Sequence, residues 1–319
     1  MSFRITSRLD RSSVNAIVET LSGISVKIDL HTHTTFSDGA LRTRELLLKA
    51  KDCGITTISI TDHDTISALE DAKEFSKEIG MSLVPGIEIT SRLKHSQLHF
   101  LGYFFDYTNK KFLSRLQELQ DARILRAKKI IAKLNRIKIP LKLESVLEKA
   151  GVKNSIGRPH IANMMVEEGY AETYEEVFHR YIGIGKPAYE ANHPFPPEEA
   201  IRMVAEAGGL SFLAHPSHYV SEGLLRELLK YGLDGIEVIH PSHSADGTEF
   251  YDKFADDNSI LKCGGSDFHG GLKNDDVNMG KYVVDRSWVD RIEEKLNRKV
   301  LEYGLRLAPQ AHPPLAKMS

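Results

Sequence analysis

Short apolar runs that end in histidine or an acidic residue recur along this chain, and that repetition restricts its fold more than any other feature. Val26–Leu30 leads into His31-Thr32-His33, with Asp38-Gly39 just beyond. Thr56–Thr61 leads into Asp62-His63-Asp64, Glu88 lies within Ile87–Thr90, and His99 lies within Gln97–Phe105. Farther on, His215 follows Leu210–Ala214, and Asp267 and His269 follow Ile260–Gly264. Between these runs lie segments with apolar residues at helical spacing and a glycine at the stop: Thr43–Cys53 before Gly54, Thr65–Ile79 before Gly80, Pro197–Ala207 before Gly208. Strand alternating with helix predicts a parallel sheet. In a parallel α/β barrel the strand ends meet at one rim, so groups distant in sequence converge there. A single buried histidine is an ordinary core residue. Six strand ends that each deliver His, Asp or Glu point to a site.

The alternation breaks at Asn109. From there to about Lys138 the spacing predicts one long helix rich in Lys, Arg and Leu, whose charges read as a solvated face. Further helices are expected at Leu143–Ala150, His160–Glu168 and Thr173–Tyr181. The expected organisation is a discontinuous barrel, residues 1–105 and 208–319, interrupted by a helical insertion over residues 106–207. The barrel would also contain a short strand at Ser82–Val84, helix Ser221–Tyr231, strand Gly235–Ile239, a helical piece near Thr248–Asp256, a last strand Lys281–Val284 and helix Trp288–Tyr303. Residues 1–25 form an extension with one amphipathic helix, Ser12–Leu21, and Ala308–Ser319 reads as a loose tail.

Composition excludes several classes. A formal net charge of −2 gives no global attraction to nucleic acid, so stable binding to a duplex is not expected. Cys53 and Cys263 are the only cysteines, too few for a disulfide framework, and read as buried inert thiols. No apolar run approaches the ~20 residues that span a bilayer, and the first residues lack the apolar stretch of a signal peptide. A cytoplasmic protein with no membrane partner is expected.

His31, His33, Asp38, His63, Glu88, His99, His215, Asp267 and His269 make nine candidate metal ligands. One ion takes roughly three to six, so the count suggests two or three, with a carboxylate such as Glu88 bridging. Imidazole and carboxylate without thiolate suit Mn²⁺, Fe²⁺ or Zn²⁺. Three carboxylates cannot neutralise that many divalent ions. The surplus positive charge would attract an anion, phosphate foremost, and paired ions can clamp attacking and leaving oxygens.

Asp29-Leu30-His31-Thr32-His33, Thr61-Asp62-His63-Asp64, Pro85-Gly86-Ile87-Glu88-Ile89, Ala214-His215-Pro216 and Gly265-Ser266-Asp267-Phe268-His269-Gly270 resemble, in order, the motifs of the PHP (polymerase and histidinol phosphatase) superfamily. Within it the chain is most similar to the stand-alone bacterial metal-dependent phosphoesterases. The resemblance implies a distorted (β/α)7 TIM-like barrel with a trinuclear metal centre, capped at its rim by the helical insertion. It implies one ion on His31, His33, Glu88 and Asp267, a second on Glu88, His99 and His215, and a third on Asp38, His63 and His269. It also marks Gly157-Arg158-Pro159-His160 and Gly185-Lys186-Pro187 as phosphate-binding segments. Arg158 would offer a planar fork, Lys186 a point charge, and His160 would join them in positioning phosphate.

The implied activity is hydrolysis of nucleotide phosphoesters by a metal-bound hydroxide. Expected substrates are nucleoside 3',5'-bisphosphates or short 5'-phosphorylated oligonucleotides trimmed from the 5' end. Two alternatives stand beside it: a small-metabolite phosphatase such as a histidinol phosphatase, and a non-catalytic module that keeps a metal site. Glu237 is expected to face the barrel or support a ligand, and Asp62 and Asp64 to orient His63 or another ligand. His193, His218, His240 and His243 lie near strand ends or insertion loops, within reach of substrate. His95, His179 and His312 read as ordinary surface residues.

Overall fold

The computed structural model describes residues 26–94, 96–151, 155–216 and 220–303. Seven strands form one sheet in chain order: β1 (Lys27–Thr32), β2 (Ile55–Ile60), β3 (Ser82–Leu93), β4 (Ser96–Tyr103), β5 (Leu210–Leu213), β6 (Gly235–Ile239) and β7 (Leu261–Gly264). Helices α1 (Thr43–Asp52) and α2 (Leu69–Glu78) link the first three strands. Between β4 and β5 come α3 (Lys110–Arg136), α4 (Leu143–Ala150), α5 (Arg158–Glu167), α6 (Tyr174–Val177) with a π turn over Phe178–Ile182, and α7 (Pro197–Glu206). Helices α8 (Glu222–Lys230) and α9 (Ala245–Asp257) link the last strands, and α10 (Arg286–Tyr303) follows them. The end of β1 also meets the segment after β7: Thr32 bridges Phe268, whose carbonyl accepts from the His33 N–H at 3.0 Å. No helix among the described residues is long and apolar enough to cross a membrane.

The sheet is mostly parallel, not parallel throughout. β4 runs antiparallel to both β3 and β5. β3 ends at Leu93 and β4 begins at Ser96, far too short a link for the crossover a parallel pair requires. The two short strands expected around Pro85-Gly86 are one strand, β3. That dipeptide marks where β3 changes partner: Ser82–Pro85 pair with β2, and Gly86–Leu93 pair with β4. Only glycine fits, because a Cβ on Gly86 would stand 2.8 Å from Thr61 Cγ2 and 3.0 Å from the Ile60 carbonyl oxygen. Lys281–Val284 is no strand; Val284 alone makes a bridge, to Ile28. Ser12–Leu21 and Ala308–Ser319 lie outside the described residues.

Among the described residues four apolar clusters form, and two of them divide the long helix α3. Ile87, Phe100, Leu213 and Ile236 of the sheet pack with Phe112, Leu116 and Leu119 from the start of α3 and with Ala200, Ile201 and Val204 of α7. Ala127, Ile130, Ile131 and Leu134 from the rest of α3 pack instead with Val146, Ile161 and Met165. The long helix is therefore shared. Its first turns belong to the sheet's core, as does α7, while its remainder organises a second core built by the inserted helices.

Candidate metal centre

Glu88, at the middle of β3 and fully buried, is the hub. Its Oε2 lies 3.3 Å from His31 Nε2, 3.3 Å from His33 Nε2 and 3.0 Å from His63 Nδ1. Its Oε1 lies 2.7 Å from His99 Nδ1 and 2.8 Å from His215 Nε2. Asp267 Oδ1 completes a corner, 3.3 Å from His31 Nε2 and 3.1 Å from His33 Nε2. Across the site Asp38 Oδ1 lies 3.3 Å from His269 Nε2 and 3.8 Å from His63 Nε2. All nine candidates from the sequence thus meet in one cluster. Each of the three expected sets has its members in contact.

Strand direction explains the delivery. His31 and His33, near and just past the end of β1, point the same way by the two-residue period. His99 reaches the cluster by another route than the one expected. It sits near the start of β4, and because β4 is reversed, its beginning lies where the parallel strands end. His215 and Asp267 hold φ of 24° and 47°, in the left-handed region that costs non-glycine residues roughly 1–3 kcal/mol. The His215 N–H donates to Glu237 Oε2 at 2.6 Å, one bond that holds its conformation.

The surroundings set protonation. Glu237 Oε1 accepts from His31 Nδ1 at 2.9 Å, which turns His31 Nε2 toward Glu88 and Asp267. A lone pair cannot rest against a carboxylate oxygen unless a proton or cation lies between. Burial works against charge on Glu88, yet the imidazoles of His63, His99 and His31 hold it well below the usual carboxylate range. Burial likewise opposes charge on Asp267, which His31 and His269 hold well below it. The cluster fits divalent ions by its own atoms. His33 Nε2, His63 Nδ1 and Asp38 Oδ1 are buried with no hydrogen-bond partner, and His33, Asp38, His63 and His269 place one ligand atom each within 4.8 Å of one another.

The two acids flanking His63 bond other groups, and Asp62 supports another candidate ligand. Asp62 accepts from Thr34 N–H at 2.7 Å, Thr34 Oγ1 at 2.6 Å and Ser37 Oγ at 2.6 Å, so it shapes the loop that carries Asp38. Asp64 accepts from Thr90 N–H at 2.7 Å and from Arg123 Nε at 2.6 Å, tying α3 to β3. Sequence reasoning placed Glu237 as a supporting group, and it serves His31 in that way. His240, just past the end of β6 and expected within reach of substrate, places its Nε2 3.2 Å from Asp267 Oδ2 and obeys the same strand-end rule as the nine candidates.

A cavity of about 190 Å³ opens beside the cluster, lined by Asp38, His63 and His99 and by Arg123, Arg126, Arg158, Tyr174 and Lys273. Arg123 and Arg126 correct the expected solvated face of α3. They stand three residues apart on one side of the helix, turned inward, with the Arg123 side chain 14% exposed. Burial, with Arg158 and Arg123 nearby, pulls Arg126 down to about 9. Its Nε donates to the Glu190 carbonyl at 2.9 Å. Arg158 lies over the Phe178 ring at 5.3 Å and lines the cavity as expected. His160 does not join the lining. Its Nδ1 accepts from Gly157 N–H at 3.0 Å, and its ring bonds the Ser37 backbone, bracing the Asp38 loop. Lys186 is exposed and outside the lining too. His95, His218 and His312 lie outside the described residues.

Known proteins resemble this chain in sequence and in fold. A 5'-3' exoribonuclease of Haemophilus influenzae is 32% identical over 248 residues, 76% of this chain and 90% of that protein. A 3',5'-nucleoside bisphosphate phosphatase of Chromobacterium violaceum is 29% identical over 247 residues, 76% of this chain and 87% of its own length. A crystal structure of a Bifidobacterium adolescentis protein assigned to the metal-dependent phosphoesterases superposes with a TM-score of 0.78 at 32% identity, covering 84% of this chain and 96% of that one. Sheet, cluster and relatives define a metal-dependent hydrolase of phosphoric ester bonds. The chain belongs to the PHP domain family, which matches it over residues 29–189.

Proposed function

We propose that this enzyme hydrolyses nucleotide phosphoesters that carry a second phosphate: nucleoside 3',5'-bisphosphates, or short oligonucleotides with a 5'-phosphate. The cavity carries the proposal. Its lining brings together Asp38, His63 and His99 of the cluster and the three arginines Arg123, Arg126 and Arg158. Arg123 is neutralised by Asp64, whereas Arg126 is hydrogen-bonded to a backbone carbonyl, a neutral partner. Guanidinium forks held half out of water beside one another are costly alone and suit a phosphate. The names of the Haemophilus and Chromobacterium relatives agree with such substrates.

In this reading the sheet closes as a distorted (β/α)7 barrel, and α4–α6 with the later turns of α3 form a cap over its rim. His31, His33, Asp38, His63, Glu88, His99, His215, Asp267 and His269 would hold two or three ions, Mn²⁺, Fe²⁺ or Zn²⁺, in the three sets described. Bound there, the ions supply Lewis acidity and a lowered pKa for water. The chain's own groups do the rest. Glu237 fixes the His31 tautomer, Asp62 holds the Asp38 loop in place, and the arginines anchor the phosphate that is not cleaved. A histidinol phosphatase would leave that anchor unused.

The test is a substrate panel on ion-replete protein, measuring phosphate or mononucleotide release. A nucleoside 3',5'-bisphosphate should exceed histidinol phosphate in kcat/KM by ~10²-fold or more, the order expected when a charged anchor is filled in one substrate alone. Equal rates on both would overturn the proposal. Arg126→Met should separate binding from stability. Losing a buried, mutually repelled cation should raise the Tm of the free protein, while KM for the bisphosphate rises by about tenfold. A lowered Tm with unchanged KM would assign Arg126 to structure instead.

A further inference from the structure

Lys273 occupies a place where the metal centre is expected to hold an ion. His269 Nδ1 lies 2.6 Å from the Asp267 carbonyl oxygen, to which it donates, and the ammonium beside Nε2, having donors alone, makes Nε2 the acceptor of that contact. The Lys273 ammonium donates to that Nε2 at 2.7 Å and to Asp38 Oδ2 at 3.2 Å. These are two of the three groups, with His63, that would form the third ion's corner. The same lone pair cannot serve an ammonium and a divalent ion together, and a second cation there repels the first.

The loop is built to aim the amine inward. Gly270 and Gly271, with φ of 78° and 88°, turn the chain after His269. Asp275 accepts from the N–H of His269 and, at 2.6 Å, from that of Gly271, which folds the segment back on the site. The Lys273 side chain is still 37% exposed, so the stem lies along the surface and the amine has room to withdraw.

We propose that Lys273 is a tethered cation competing with a divalent ion for the Asp38–His63–His269 corner, so that the other two corners fill first and this one fills weakly. The proposal rests on reading the cluster as a metal centre. Wild type, Lys273→Met, Lys273→Gln and Lys273→Arg would be stripped with chelator and titrated with Mn²⁺ in equilibrium dialysis, bound ion per chain being measured by elemental analysis. Circular dichroism would check that each variant folds. Wild type and Lys273→Arg should hold two ions tightly and a third weakly, while Met and Gln should bind that third ion at least about tenfold more tightly. A third-ion affinity within about twofold of wild type in both neutral variants, or weaker, overturns the lysine's role and leaves the centre standing. A wild type that already holds three ions tightly overturns it as well. A wild type that takes up no ions overturns both the lysine's role and the centre.

Discussion

Glu88→Gln should strip the enzyme of bound ions and of activity together. The carboxylate faces His31, His33 and His63 with one oxygen and His99 and His215 with the other, so it spans two of the three expected ion sets. Glutamine keeps the shape and removes the charge. Its amide nitrogen would set a donor where an ion needs an acceptor. Ion content should fall by more than one per chain, and kcat/KM by roughly 10³-fold or more, the several kcal/mol that metal-ion charge stabilisation supplies. The backbone contacts of Glu88, accepting from Asp64 N–H at 2.9 Å and donating to the Asp62 carbonyl at 3.3 Å, are untouched, so the variant should fold. Full ion content with activity within tenfold of wild type would show that Glu88 is no bridge.

Arg123→Met should act on stability first and on activity through it. The Arg123 guanidinium bonds Asp64 Oδ2 at 2.6 Å, Thr90 Oγ1 at 2.6 Å and the Ile156 carbonyl at 3.3 Å. The Asp64 side chain is 2% exposed, so methionine would leave a buried carboxylate without its counter-charge. Breaking such a pair by removing one partner costs ~3–5 kcal/mol. Urea unfolding should show that loss, and Asp64→Asn combined with Arg123→Met should recover part of it, since both charges are then gone. The pair also fixes α3 against β3, two residues from Glu88. The KM for a two-phosphate substrate should therefore rise even in the double variant. An unchanged KM there would mean that α3 keeps its place without the ion pair.

Much of the site was legible because its ligands obey a one-dimensional rule. Asp38, His63, His215, Asp267 and His269 each follow an apolar run directly or by a few residues, and strand geometry carries such positions to a common rim. His99 was found by the same rule for a reason that does not hold, since its strand is reversed and delivers its beginning to the rim. His240 obeys the rule as well, and its expected place is near substrate, whereas its Nε2 lies against Asp267. Lys273 carried no sequence signal, because its place depends on how Asp275 folds the loop behind it.

The inserted helices show the limit. Their boundaries follow from apolar spacing, and α4 begins and ends where that spacing puts it. Whether a charge on such a helix meets water cannot be read from its own neighbours in sequence. Arg123 and Arg126 look like any solvated pair until α3 is seen to lean over β3, where Asp64 and the cavity receive them. Lys186 looked equally placed for phosphate and stands in solvent.

The sequence by itself determined that this is an α/β protein with His, Asp and Glu gathered at its strand ends, and named the nine groups that meet there. Periodicity and strand ends are local properties, so local pattern suffices to state them. Only the tertiary structure decided which charges serve the site from outside the sheet and which strand runs backwards. It also decided that a lysine stands at one corner of the centre. Each depends on packing between segments far apart in the chain, and burial alone turns a surface charge into an anchor.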